Sequence, residues 1–190
     1  MIFCTAVLAG DALLTKAFET VSSAEVLSDR ERVEAVLILA RAAGDRGMIG
    51  GQVMDMGAQG NNMLSLSYLE KMHSLKTGAL IKAAAALGCL AAEQTAADIV
   101  ASAELYAEKI GLAFQVIDDI LDEIGDKETL GKSIGKDHDA NKLTFLRFYN
   151  VEQANEYATM LTRQAQKAIE GFDEEKILFR LADYLLNRKK

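Results

Sequence analysis

Three carboxylates close the apolar run Phe114-Gln115-Val116-Ile117-Asp118-Asp119-Ile120-Leu121-Asp122. At 3.6 residues per turn, Asp118 and Asp122 stand one helical turn apart, roughly 6 Å along the axis, with Asp119 beside them. The spacing therefore directs three negative charges into one small volume. Like charges held so close raise one another's pKa, and they persist cheaply only in open solvent or around a cation. Oxygen donors of this kind suit a hard divalent ion, and Mg2+ is the natural occupant. A solvated acidic helix end has the same spacing, and the string alone does not separate the two readings.

The elements that must hold these groups are helical. Proline is absent, half of the 190 residues are hydrophobic, and the apolar spacing follows a helix nearly everywhere. This predicts an all-α bundle with short connections and a sizeable core in one domain. Residues 95–122 form the long helix that carries the carboxylates, with Ile99, Tyr106, Ile110, Phe114 and Ile117 on its inner side; Gly125 and Asp126 end it. From Leu64 to Ala92 a second long helix is interrupted near Gly78. Ser28-Asp29 caps a helix through Arg41. Residues 2–21 enter the chain already inside an apolar helix, with no cap before it, which reads as the middle of something longer. Helices at about 151–170 and 174–188 close the bundle, and Arg188-Lys189-Lys190 suits a solvated helix C-terminus.

Other polar groups stand near this frame. Lys76 and Thr77 precede the most apolar part of their helix, where a lysine needs an anionic partner or a route by which to snorkel to water. Gln52 and Asp55 share the string GGQVMDMG with small residues, and close helix approach explains that composition equally well. Lys132 lies in the loop Gly131-Lys132-Ser133-Ile134-Gly135-Lys136-Asp137, and Lys142 and Thr144 open the next segment. This loop lacks GxxxxGK[ST] and follows no strand, which excludes a nucleoside-triphosphatase. The formal net charge of −7 argues against nucleic acid as a partner, so an anionic substrate must be held by local lysines or metal. Cys4 and Cys89 lack metal-ligand spacing and read as free buried thiols in a reducing, cytoplasmic compartment. The longest run without charge or amide, between Lys82 and Glu93, is too short to span a membrane, and residues 1–14 lack the basic start of a signal peptide.

Five strings then occur in order: GDALLTKAFE at 10–19, GGQVMDM at 50–56, LKTGALI at 75–81, FQVIDDILD at 114–122 and GDKETLGKSIGKDHDANKLTF at 125–145. Together they resemble the C-terminal two thirds of bacterial short-chain trans-isoprenyl diphosphate synthases, the farnesyl diphosphate synthase (geranyltranstransferase) group. The resemblance implies an isoprenoid-synthase-like helical bundle, truncated at the N-terminus, as a single domain over residues 1–190. It implies condensation of isopentenyl diphosphate with an allylic diphosphate, dimethylallyl or geranyl, to farnesyl diphosphate, with Mg2+ and lysines neutralising the departing diphosphate. By that resemblance Asp118, Asp119 and Asp122 form the second aspartate-rich motif, with Asp118 and Asp122 touching metal. Lys76 and Lys132 bind diphosphate, and Lys142 is a further candidate. Thr77 and Gln115 lie near the allylic end. Gln52 stands on the substrate side and Asp55 with the metal carboxylates. The resemblance also implies a homodimer that covers residues 1–21, and Asp118 and Asp122 facing Lys76 across a cleft. The family's first aspartate-rich motif and its paired arginines are not found in this sequence. A catalytically inactive helical fragment is therefore the competing reading, with a geranylgeranyl diphosphate synthase or a terpene cyclase as further alternatives; LKTGALI favours the farnesyl product.

Overall fold

A computed structural model describes residues 2–61, 63–94, 96–129 and 142–188. Its described elements are all helical: α1 (Ile2–Ser22), α2 (Asp29–Ala43), α3 (Met48–Ala58), α4 (Leu66–Lys76), α5 (Gly78–Ala91), α6 (Ala97–Thr129), a single 3-10 turn at Phe145–Arg147, α7 (Val151–Ile169) and α8 (Ile177–Leu186). Local chemistry sets several of the ends. The Ser28 hydroxyl accepts the Glu31 amide while Glu31 accepts the Ser28 amide, and Asn150 and Gln153 repeat this reciprocal cap before α7.

The long helix α6 is the axis of the fold. Its buried face, including Ala113, Val116, Ile117 and Ile120, joins Leu69 and Met72 of α4, Leu143, Phe145, and Ala154, Ala158 and Leu161 of α7 in one core. Tyr106 and Ile110 meet Ala165, Ile169 and Ala182 in a second cluster. There the Tyr106 hydroxyl donates to the Leu178 carbonyl at 2.8 Å, and the Gln166 amide donates to Asp183 at 2.7 Å, which fixes α8 against α6 and α7.

The expected break near Gly78 is present as a 48° bend between α4 and α5 at Thr77. Three expectations need correction. First, α6 does not stop at Gly125-Asp126 but continues to Thr129. A glycine inside a helix costs only about 1 kcal/mol relative to alanine, too little to end a helix already anchored along its length. Second, α8 begins at Ile177 because Asp173 accepts the amides of Ile177, Leu178 and Phe179, with Lys176 in the left-handed region at φ 57°. Third, Cys4 is exposed and Cys89 only half-buried. Their flanks face outward in the single chain, and α1 likewise leaves Val7, Leu8 and Leu13 exposed.

Among the described residues no single helix is long and apolar enough to cross a membrane; the bent pair α4 and α5 passes that measure jointly, by length and composition only.

Candidate functional site

Gly51 is where α3 meets the end of α4. A Cβ there would stand 2.1 Å from the Lys76 nitrogen and 2.5 Å from its Cα, so only glycine permits this approach. One turn later on α3, Asp55 receives a hydrogen bond from Lys76 Nζ at 2.5 Å, with both side chains largely shielded from water. The anionic partner that a half-buried lysine requires is thus Asp55. Close helix approach and a polar role for this string are both present, carried by different residues.

One turn before Lys76, His73 lies 5% exposed and stacks on Phe145, ring centroids 5.5 Å apart and planes 19° from parallel. Burial first, and then the Lys76 charge, push its imidazole down to about 4, against the opposing pull of Asp55; Lys142 acts in the same direction as Lys76. His73 is therefore neutral at pH 7. Neither ring nitrogen has a hydrogen-bond partner of ordinary geometry; the Gln115 amide lies within electrostatic reach.

The other face of the site is α6. Asp119 is 5% exposed and accepts the backbone amide of Phe145 at 2.8 Å. Burial pushes its carboxyl up to about 6; the Phe145 amide and Lys142 oppose that rise, while Asp122 and Asp118 add to it. Asp118, 40% exposed at its side chain, has both oxygens engaged. Gln115 donates to one at 3.1 Å, and the Arg188 guanidinium is ion-paired with the other. The same guanidinium lies 3.8 Å over the Phe114 ring and donates to the Phe114 carbonyl at 3.1 Å. Asp122, one turn further, is exposed.

The three carboxylates therefore do not share one volume as their spacing suggested. Among the described residues no group of three or more His, Cys, Asp or Glu is arranged to hold a metal. Adjacent helical residues point about 100° apart, and that rotation turns Asp119 into the core beside Phe145 while Asp118 stays at the surface. Lys76 pairs with Asp55 rather than with Asp118. Thr77 is half-buried at the bend, where its amide bonds the His73 carbonyl. Gln52 and Lys142 are exposed, and Lys132 lies outside the described residues.

Two residues of the site were not anticipated. His73 carries a faint signal, a histidine one turn before Lys76 in MHSLKT. Arg188 carries none, since a terminal Arg-Lys-Lys reads as a solvated end; its side chain is in fact only 18% exposed. A separate groove of about 1140 Å3 along α2, α4, α5, α6 and α7 is not lined by any of these residues.

The donor set suits a hard, partly hydrated cation. Asp118 already holds a cationic group, and Asp122 stands one turn away on the exposed side. Two carboxylates leave positions for water or substrate oxygens, which Mg2+ retains readily.

Comparison with known proteins agrees with this helical frame. The polyprenyl synthetase family model matches residues 4–179, and the chain belongs to that family. It is 44% identical over 191 residues to farnesyl diphosphate synthase of Escherichia coli (strain K12), covering 97% of this chain and 64% of the relative. It is 42% identical over 189 residues to heterodimeric geranylgeranyl pyrophosphate synthase large subunit 2 of Arabidopsis thaliana, covering 97% and 50% respectively. The crystal structure of geranyltransferase from Helicobacter pylori complexed with magnesium and isoprenyl diphosphate superposes with a TM-score of 0.75 at 34% identity, over 97% of this chain and 60% of that one. The chain thus spans about half to two thirds of the length of these relatives.

Proposed function

We propose that the site serves prenyl transfer: condensation of isopentenyl diphosphate with an allylic diphosphate, dimethylallyl or geranyl, to give farnesyl diphosphate. One observation carries this reading. A lysine held by Asp55 on one side, and Asp118 already holding a cation on the other, flank a buried aromatic core made by His73 and Phe145. That distribution suits a substrate with an anionic diphosphate head and an apolar tail. The magnesium and isoprenyl diphosphate named for the Helicobacter pylori relative are consistent with it.

In this reading Asp118 and Asp122 would hold Mg2+, which supplies neutralisation of diphosphate charge. Lys76, aimed by Asp55, binds a diphosphate oxygen and stabilises the negative charge that grows as the allylic carbon–oxygen bond breaks. Lys142 and, from the sequence, Lys132 add to that positive field, with Gln115, Thr77 and Gln52 as polar neighbours of the substrate. The electron pair leaves with diphosphate, the isopentenyl double bond attacks the allylic carbon, and the lost proton passes to the released diphosphate. His73 adds no charge at pH 7, which keeps the apolar side free of a competing cation. A cytoplasmic location and a homodimer joined through the exposed apolar face of α1 belong to the same proposal.

Equilibrium binding of geranyl diphosphate in excess Mg2+ tests it. Lys76→Met should weaken binding roughly tenfold or more, as expected for loss of a charge-assisted hydrogen bond. Unchanged binding would refute the assignment. Chain length of the product from labelled isopentenyl diphosphate separates a farnesyl from a geranylgeranyl synthase, and binding without turnover identifies an inactive chain.

A further inference from the structure

Arg188 follows the end of α8, which stops at Leu186 with Asn187 capping it onto the Asp183 carbonyl at 3.0 Å. The helix itself is fixed to α6 and α7 by the Tyr106 and Gln166 bonds. Only two residues past this anchored end, the chain returns its guanidinium to α6. There it makes three interactions at once: the ion pair with Asp118, the hydrogen bond to the Phe114 carbonyl, and the stack on the Phe114 ring. A surface ion pair contributes little, but this one is joined to a ring contact, and its arginine side is mostly shielded from water. The docking is also incomplete, because the buried Arg188 Nε has no acceptor. A buried donor left unsatisfied keeps the docked arm from being a deep trap.

At Asp118 this guanidinium and a divalent ion compete for the same carboxylate. Gln115 holds Oδ2 and Arg188 holds Oδ1, so neither carboxylate oxygen is unengaged. A divalent ion placed on Oδ1 would sit against a guanidinium of like sign, and the two repel. We propose that Arg188 is the resident cation of Asp118, and that a divalent ion binds Asp118 only as the guanidinium leaves, so that metal occupancy and release of the C-terminal arm are coupled. The proposal rests on the reading of Asp118 as a metal ligand.

The probe is Mn2+ alone, titrated into the full chain with free ion followed by electron paramagnetic resonance. Apparent affinity scales with the fraction of chains whose site is open. Arg188→Gln, which removes the charge, should bind Mn2+ roughly tenfold more tightly than the unmodified chain if the arm is docked about nine tenths of the time. Phe114→Leu, which removes only the stack, should tighten binding by a smaller factor. In the unmodified chain, Mg2+ should move the Arg188 Nε–H resonance, traced from its own backbone assignment, towards the solvent-exposed position; this readout requires no folded variant. Equal or weaker Mn2+ binding by Arg188→Gln, with Asp118→Asn still weakening binding, would overturn the exchange and leave the metal assignment intact. If Asp118→Asn leaves Mn2+ affinity unaltered, the metal assignment falls and the exchange falls with it.

Discussion

Phe145 is flanked by two titratable groups that burial drives to neutrality, and their pH dependences oppose each other. Asp119 accepts its amide, and His73 stacks on its ring. Asp119 rises from 3.8 to about 6, so between those values the folded chain keeps a proton that the unfolded chain has released. The stability associated with protonated Asp119 is present below about pH 4 and is lost as pH rises through 6. His73 falls from 6.5 to about 4, so the unfolded chain takes up a proton that the folded chain refuses. Its contribution is complete above about pH 6.5 and is lost as pH falls towards 4. Each shift corresponds to about 3 kcal/mol, and over pH 4–6 the two slopes offset one another. Lys76, Lys142, Asp55, Asp118 and Asp122 also act on the pair, and they remain in place in both proteins compared. The perturbation is Asp119→Asn, which keeps an acceptor for the Phe145 amide but cannot ionise. Its stability should climb by about 3 kcal/mol from pH 4 to 6.5, while the unmodified chain stays nearly level. Urea unfolding followed by circular dichroism, with chelator present throughout, measures both curves. Parallel curves across that range would refute the reasoning.

Two further outcomes follow from the packing. Gly51→Ala should destabilise the chain by about 2 kcal/mol or more, because the added methyl meets backbone of Lys76 rather than a movable side chain; a thermal midpoint within a degree of the parent would contradict the close approach of α3 and α4. Tyr157→Phe should cost about 1–2 kcal/mol, since the tyrosine hydroxyl donates to Glu70 at 2.5 Å and ties α7 to α4. Urea midpoints report it, and an unchanged midpoint would mean that Glu70 is satisfied by water instead.

The sequence by itself determined the features that depend on near neighbours along the chain. Helical class, the Ser28 cap, the bend near Gly78 and the placing of FQVIDDILD on one long helix follow from periods of three and four residues and from side chains bonding their own backbone. Strings in order also mark the chain's family. Tertiary structure decided which partner each polar group takes. Lys76 meets Asp55 across 21 positions, Phe145 meets Asp119 across 26, and Arg188 meets Asp118 across 70. No local rule specifies such pairs. Even the aspartate cluster, whose three members lie within five residues, divides between core and surface, because α4, α7 and Phe145 pack on one side of α6 and bury whichever carboxylate the helical rotation turns towards them.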